Sequence, residues 1–181
     1  MEEARKITEV LFELEGIVPL KMDRYHGLPD PKTKDGYIKQ AEEKCYRNDD
    51  GELVIPANAV KAVMRLASSD LGKKMEAKKN RQLIASGVFF EEENFSLGRK
   101  NHDGLILDLV TRKGIGDKVT RVITYRPIVK KWKISGKMFL MDIQLQFARQ
   151  CLDLGGLRYG LLGHRPEFGR YNVNKFEAVE G

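Results

Sequence analysis

The order of elements along this sequence predicts an α+β fold, a single domain over residues 1–181 in which an antiparallel sheet packs against two helices. The chain has 181 residues, the length of one ordinary domain. Hydrophobic residues make up 41% of it, which is enough to form a core. Apolar side chains alternate with a period of two in several segments and recur at helical spacing in others. Both kinds of element are therefore expected.

The first strand and the loop after it occupy the N-terminal forty residues. Residues 7–18 alternate mostly apolar and polar side chains and are rich in β-forming residues. Proline and glycine then recur through residues 19–40, where they break regular structure. Because this stretch also carries several basic side chains, we expect a long basic loop, and long loops of this kind are often functional.

A hairpin and two helices are predicted next. Residues 44–55 flank an Asp-Gly turn, which favours a short hairpin, and Pro56 ends it. Asn58 is a residue type that caps helices, and apolar residues recur at helical spacing over residues 60–71. A second helix with a basic polar side is expected over residues 73–81.

The second half of the chain is predicted to consist of strands and one amphipathic helix. The apolar pattern places strands at 87–112, 119–129, 131–140 and 170–179, a hairpin tip at 114–117 and the helix at 143–152. Strand, helix, strands, helix and strand in this order form the split βαβ pattern. The sequence therefore predicts a ferredoxin-like (RRM-like) antiparallel sheet with two packing helices and a β-rich insertion over residues 87–130. Many RNA-binding modules use this framework, but the fold alone does not assign a function.

The charge distribution favours a polyanionic partner. The formal net charge is +6, and residues 112–137 contain nine basic side chains against one acid. A basic surface of this kind attracts phosphates and gains free energy from released counterions. Single-stranded RNA is the first partner to consider, with single-stranded DNA as an alternative.

Several other classes of protein are excluded or disfavoured. No apolar run reaches the roughly 18 residues of a membrane helix, and the acidic N-terminus is unlike a signal peptide. The two cysteines and three histidines lack metal-ligand spacing, so no metal and no cofactor is expected. The pattern favours a soluble cytoplasmic protein. No nucleotide-binding or hydrolase motif supports another enzyme class.

Two stretches resemble a known family. Residues 51–65 read GELVIPANAVKAVMR, and residues 155–173 read GGLRYGLLGHRPEFGRYNV. The first is similar to the G-x-x-x-I-P-G-S-S-x-K-G-x-x-R signature of the CRISPR-associated RAMP superfamily, in particular its guide-RNA-binding backbone subunits. The second is similar to that family's C-terminal glycine-rich element, which ends in G-F-G-R before the last strand. The resemblance does not extend to the middle of the chain.

The resemblance implies a non-enzymatic subunit that binds guide RNA through its backbone, assembles along it as a homo-oligomer or filament, and joins CRISPR effector subunits or a viral or mobile-element complex. Target-cleaving members carry an aspartate about fourteen residues before the I-P pair, where this chain has Ala41. No catalytic residue is therefore assigned. The residues expected to contact RNA are Lys21, Arg24, Tyr25, His26, Lys61, Arg65, Arg126, Lys130, Lys131, Trp132, Lys133, Arg158, His164, Arg165 and Arg170.

The spacing of two of these residues has a physical meaning of its own. Lys61 and Arg65 are four residues apart, so both project from one face of a helix near its N-terminus and would hold a phosphate there. Glycines at 155–169 either let backbone amides approach a phosphate or serve as a simple cap and turn. Tyr25, His26 and Trp132 are expected to stack on bases.

Three alternatives stay open. One is a metal-independent endoribonuclease of the same superfamily, in which His26, His102 or His164 acts as an acid or base. Another is a single-stranded DNA-binding protein of viral replication or recombination. The third is an interaction protein whose basic surface binds an acidic partner.

Overall fold

The structure is a computed structural model that describes residues 6–113 and 119–179. The predicted hairpin tip at 114–117 lies outside the described residues. The helices are α1 (Lys34–Glu42), α2 (Ala57–Ser68), α3 (Ala77–Gly87) and α4 (Leu145–Leu154). The strands are β1 (Ile7–Gly16), β2 (Leu20–Lys21), β3 (Val54–Pro56), β4 (Val88–Phe90), β5 (Asn94–Ser96), β6 (Gly104–Lys113), β7 (Val119–Val129), β8 (Lys133–Met141) and β9 (Tyr171–Ala178). Among these residues no helix has the length and apolar content needed to cross a bilayer.

Four strands form the central sheet in the spatial order β4-β8-β1-β9, and every neighbouring pair is antiparallel. The first strand thus lies between the last two, with the strand that follows α3 at one edge. This is the strand order of a ferredoxin-like sheet, and the predicted α+β, ferredoxin-like fold is confirmed.

The helices cover one face of this sheet because strand alternation and helical spacing both direct apolar side chains there. Val10, Phe12 and Leu14 of β1 are almost completely buried. α2 buries the stripe that includes Val60 and Val63, and α4 buries Ala148, Cys151 and Leu152. Each such large side chain contributes roughly 1.5–3 kcal/mol by leaving water. In the part of the chain that the structure describes, no helix covers the other face of the sheet.

The stretch predicted to be an insertion, 87–130, begins too early, because β4 lies within it and is an edge strand of the central sheet. The remainder carries β5, β6 and β7, between the second and third strands of that sheet. β6 pairs with β7 along its whole length, from Gly104 opposite Ile128 to Lys113 opposite Val119. β2 pairs with β7 and completes a second, three-stranded sheet. α1 packs on β7, and β5 pairs with β3. The assignment of residues 1–181 to one domain stays a prediction.

Three local predictions differ from the structure. The expected loop at 19–40 contains β2 and the start of α1, because the hydroxyl of Thr33 accepts a hydrogen bond from the amide of Gly36 and caps that helix. Asn58 is not the cap of α2, since the helix begins at Ala57 directly after β3. Residues 44–55 turn back at the predicted place, where the amide of Val54 donates to the carbonyl oxygen of Tyr46 and Arg47 bridges Leu53. They do not form a longer ladder, because β3 pairs with β5.

Candidate nucleic-acid interface

The side-by-side helices α2 and α3 contain no acidic residue. The side-chain amide of Asn80 fixes their packing by donating to the carbonyl oxygens of Ser68, at 3.2 Å, and Leu71, at 2.7 Å. Arg81 and Lys78 lie about one and two turns before Ala85, on the side of α3 that faces Lys61 and Arg65, and we call the surface of these four cations the cationic helix face. Lys79 lines a separate cleft with Leu83 and Phe147. A basic helix follows α2 as predicted, but α3 begins at Ala77 and not at residue 73, because Lys74–Glu76 form a separate 3-10 turn.

Lys61 and Arg65 border a groove of about 360 Å³ whose remaining lining residues are Asn58, Ala62 and Ala85. The two alanines, one from each helix, have small side chains that leave the groove open. Within residues 6–113 and 119–179, no carboxylate forms an ion pair with either cation. The predicted placement of both cations on one face of α2 is what the structure shows.

The electrostatics of this pair favour an anionic ligand. The pKa of Lys61 is lowered, first because the ammonium is partly removed from water and second because the Arg65 guanidinium repels it. A phosphate bound between the two side chains would offset both effects, since it supplies the opposite charge that the fold leaves out. The groove is therefore suited to a phosphate of a nucleic-acid backbone.

Phe89 of β4 belongs to the same site and was missed by the sequence analysis. The Lys61 ammonium lies 5.2 Å from the centroid of its ring, and the side chain is 46% exposed. The sequence pattern placed Phe89 in a strand, but only the edge position of β4 brings its ring beside α2. An exposed aromatic ring next to a cation is the combination that single-stranded nucleic acids use for stacking and backbone contact.

In a second group of predicted residues, the positive charges are already neutralised by aspartates of the same chain. Lys21 and Arg126 both bond the carboxylate of Asp108, at 2.9 Å and 2.8 Å, and Arg126 also lies 2.9 Å from Asp23. His164 Nδ1 is 3.2 Å from the Lys21 ammonium. We call these five residues the Asp108 cluster. It joins β2, the β6–β7 hairpin and the glycine-rich segment.

The Asp108 cluster corrects the prediction that Lys21 and Arg126 grip a phosphate. Both side chains are buried, and their charges are already neutralised. Burial acts to raise the pKa of Asp108, but the hydrogen bonds from the two cations outweigh it and the pKa is lowered. The one sequence signal for this carboxylate is its isolation in the apolar run 105–110, where a strand must bury it with a partner.

The residues Arg24, Tyr25 and His26 line a cleft of about 560 Å³ between their own loop and the β6–β7 hairpin. The rings of Tyr25 and His26 are nearly parallel, at 11°, with centroids 6.5 Å apart. Tyr25 is 90% exposed, whereas His26 Nδ1 accepts a hydrogen bond from the amide of Leu28. The structure brings these three predicted residues together, and their contact with bases stays a prediction.

The basic strand at 126–133 is divided between very different surroundings. Lys130 and Lys131 are exposed in the turn between β7 and β8. Trp132 is only 5% exposed, and its indole N–H donates to the carbonyl oxygen of Val18 at 2.9 Å. The prediction that Trp132 stacks on bases is therefore wrong, because its ring is part of the core.

The open face of the sheet carries acids that neutralise its lysines. Lys133 pairs with Glu13 at 2.8 Å, and Lys137 pairs with Glu9 at 3.0 Å and Glu91 at 3.3 Å. RNA-binding modules of this architecture often stack bases on that face. Here the paired acids make it a poor surface for phosphates, so the helical side is the better candidate.

The glycine-rich segment begins with a π-helical turn, Gly155–Tyr159, and its glycines are required by close packing. A Cβ at Gly156 would lie 2.2 Å from the carbonyl oxygen of Tyr171, and one at Gly169 would lie 2.0 Å from that of Leu161. This supports the cap-and-turn alternative over backbone approach to a phosphate.

The three arginines of this segment differ in exposure and partners. Arg158 is held by Asp70 at 3.0 Å, and the hydroxyl of Tyr159 donates to the same carboxylate. Arg165 is exposed, and Arg170 is half-buried. Arg165 is thus the most accessible of the three for a phosphate.

The histidines offer limited support for nuclease chemistry. His102 Nε2 lies 2.6 Å from a Glu42 carboxylate oxygen, and its Nδ1 accepts from the amide of Gly104. His164 belongs to the Asp108 cluster, and Nδ1 of His26 is engaged by its own loop. Within the described part of the chain, no three metal-ligating side chains lie together.

Comparison with known proteins identifies the fold. No family model and no curated protein matches the sequence. Among solved structures, a chain of the cryo-EM structure of the Type III-B Cmr-beta bound to cognate target RNA has a TM-score of 0.55 at 13% identity, over 97% of this chain and 61% of that one. This chain has the fold of a CRISPR-associated RAMP protein. It spans about 61% of the length of that Cmr-beta chain. The crystal structure of Cmr6 from Pyrococcus furiosus also matches, with 13% identity and a TM-score of 0.47, over 92% of this chain and 98% of that one.

The two RAMP-like motifs come into contact in the folded chain. The first runs from the turn before β3 into α2, and the second runs from the π-helical turn into β9. A Cβ at Gly155 would lie 2.6 Å from a methyl group of Val63 on α2. The RAMP resemblance predicted from residues about ninety positions apart is thus confirmed at the level of the fold.

Proposed function

We propose that this chain is a nucleic-acid-binding subunit of a CRISPR-type effector and holds single-stranded guide RNA by its sugar-phosphate backbone along the cationic helix face. The observation that carries the proposal is the pair Lys61 and Arg65, two adjacent cations in a groove without an acidic partner in the described part of the chain. Contacts of this kind set position and affinity but carry no sequence information.

The remaining charges support this choice of surface. The open sheet face pairs its lysines with glutamates, and the Asp108 cluster neutralises Lys21 and Arg126. The cationic helix face is the surface where several cations lie together on two helices that have no acids of their own. The phosphate backbone is therefore expected to follow α2 and α3.

The test compares two double variants that remove the same net charge. Lys61→Ala with Arg65→Ala should weaken binding of a labelled single-stranded RNA about tenfold or more and reduce the slope of log affinity against log salt by about 0.7, because the pair holds one phosphate. Lys133→Ala with Lys137→Ala, on the sheet face, should leave both quantities nearly unchanged. Fluorescence anisotropy at several salt concentrations measures both.

Equal effects from the two double variants would refute the helical site and leave only a dependence on net charge. The fluorescence of Trp132, which is buried in the core, reports whether each variant is folded. A matched single-stranded DNA distinguishes an RNA-binding protein from a DNA-binding one.

We also propose assembly along the strand, for which the particle mass should rise in steps when RNA is added.

A further inference from the structure

We infer that the cationic helix face continues into a compartment that receives one unstacked guanine base of the bound strand. The inference rests on the proposed function and deepens it, because it adds base selection to a site that otherwise reads only phosphates. It concerns the cleft between the beginning of α2, the edge strand β4 and the residues that follow β4.

This compartment has a volume of about 500 Å³ and adjoins the groove of Lys61 and Arg65. Its polar and aromatic lining consists of Asn58, Lys61, Phe89, Phe90, Glu92, Glu93 and Asn94. Asn58 and Lys61 line both spaces, so the two form one continuous site. A volume of roughly 300–1,000 Å³ is typical of clefts that take small ligands, and a nucleobase fits within it.

The two ends of the site differ in charge in the way the two ends of a nucleotide do. Lys61 and Arg65 supply positive charge from α2, and the acidic residues Glu92 and Glu93 contribute to the lining from the segment after β4. Carboxylates repel a phosphate but accept hydrogen bonds from a base edge. The arrangement therefore orients a nucleotide with its phosphate toward α2 and its base toward the segment after β4.

Phe89 supplies a ring on which the base can stack. Its side chain is 46% exposed, although the neighbouring Val88 is completely buried. Stacking on an aromatic side chain is a principal way in which proteins hold an unstacked RNA base. Since every base has an aromatic face, Phe89 provides affinity without choosing among bases.

Glu93 is the residue best placed to distinguish guanine from the other bases. Its carbonyl oxygen accepts a hydrogen bond from the amide of Ala57 at 2.9 Å, which fixes this part of the backbone beside α2. Glu92 is drawn toward the sheet, where its carboxylate accepts from the amide of Lys137. Among the described residues, the Glu93 carboxylate has no hydrogen-bond or ion-pair partner, and Glu93 is one of the residues that line the compartment.

An ionised carboxylate only accepts hydrogen bonds, and its two oxygens can bind two donors side by side. Guanine presents two adjacent donors on its Watson–Crick edge, N1–H and the N2 amino group. Adenine and cytosine pair a single amino donor with a ring acceptor, and uracil flanks its one N–H with two carbonyls. The carboxylate of Glu93 therefore favours guanine and places acceptor against acceptor for the other bases.

The experiment measures binding of a labelled oligouridine and of the same strand with one internal uridine replaced by guanosine, adenosine or cytidine. The wild-type protein should bind the guanosine strand about tenfold or more tightly than the oligouridine, which is the usual discrimination of one bidentate contact. Glu93→Gln should abolish that ratio while leaving oligouridine binding in place. Glu91→Gln, whose carboxylate pairs with Lys137 on the sheet, is the matched control and should retain the ratio.

The outcomes distinguish a failure of the guanine site from a failure of the proposed backbone-binding function. Equal affinity of the wild-type protein for all four strands, or an unchanged ratio in Glu93→Gln, overturns the guanine site while the backbone-binding function stands. Loss of affinity for every strand by the same factor in Lys61→Ala with Arg65→Ala supports the phosphate end of the site. Failure of the wild-type protein to bind any strand overturns both. Phe89→Leu should weaken all strands together, because stacking does not distinguish bases.

Discussion

Replacing Asp108 by asparagine would leave two buried cations without the negative charge that they share. The side chain of Lys21 is 2% exposed and that of Arg126 is 10% exposed, so both charges have lost their hydration in the folded protein. In the variant, Arg126 keeps the carboxylate of Asp23. Lys21 keeps the neutral amide oxygen of the new asparagine, the imidazole of His164 and the ring of Phe168, whose centroid lies 4.3 Å from the ammonium, but no negative charge.

The expected cost follows from that difference. Removing one partner of a buried ion pair destabilises a protein by about 3–5 kcal/mol. Because Arg126 retains Asp23, we expect the lower end, a loss of about 3 kcal/mol in the free energy of unfolding. That is a large part of the roughly 5–15 kcal/mol that stabilises an ordinary domain. With a urea m-value of about 2 kcal/mol per molar, the midpoint should fall by about 1.5 M.

Urea unfolding followed by the fluorescence of Trp132, the sole tryptophan, measures this change. The control is Asp153→Asn, which removes a carboxylate from a pair with Arg149 in which both side chains are more than a third exposed. Exposed pairs of this kind contribute about 0.5 kcal/mol or less. If the two variants lose the same free energy of unfolding, the Asp108 cluster does not stabilise the fold and the argument is refuted.

The stabilising effect of Asp108 should also depend on pH. The pKa of Asp108 in the folded protein lies below the ordinary value of 3.8, so its stabilising effect is full above pH 3.8 and disappears as the pH falls through the folded-state pKa. Urea unfolding in increasingly acidic buffers should therefore show the free energies of unfolding of wild type and Asp108→Asn converging. Gly156→Ala should destabilise the protein by about 2–3 kcal/mol, because its Cβ would lie 2.2 Å from the Tyr171 carbonyl oxygen; an unchanged melting temperature would contradict that close contact. Burial raises the pKa of Cys45 to about 11 and that of Cys151 to about 12, so a thiol-specific disulfide reagent at mildly alkaline pH should label neither in the folded protein and both in urea. Labelling of a folded-state thiol would show that the core opens there.

The sequence was sufficient to predict the structural features that depend on the spacing of residues along the chain. The alternation in β1 and the helical periodicity of α2 and α4 predicted both the elements and the faces they bury, since side-chain direction follows from the period of each element. The same rule placed Lys61 and Arg65 together on α2. The two glycine-containing motifs, at 51–65 and 155–173, led to the RAMP fold before any contact between them was known.

The tertiary structure alone decided which basic side chains remain accessible to a nucleic acid. Lys21 and Lys61 look equivalent in the sequence, but Asp108, far away on β6, neutralises one of them and no described carboxylate pairs with the other. Trp132 lies in the most basic segment and is nevertheless in the core, whereas Phe89 lies at a sheet edge beside α2. Burial and charge neutralisation depend on contacts between residues distant in sequence, and no local pattern of residue types encodes those contacts.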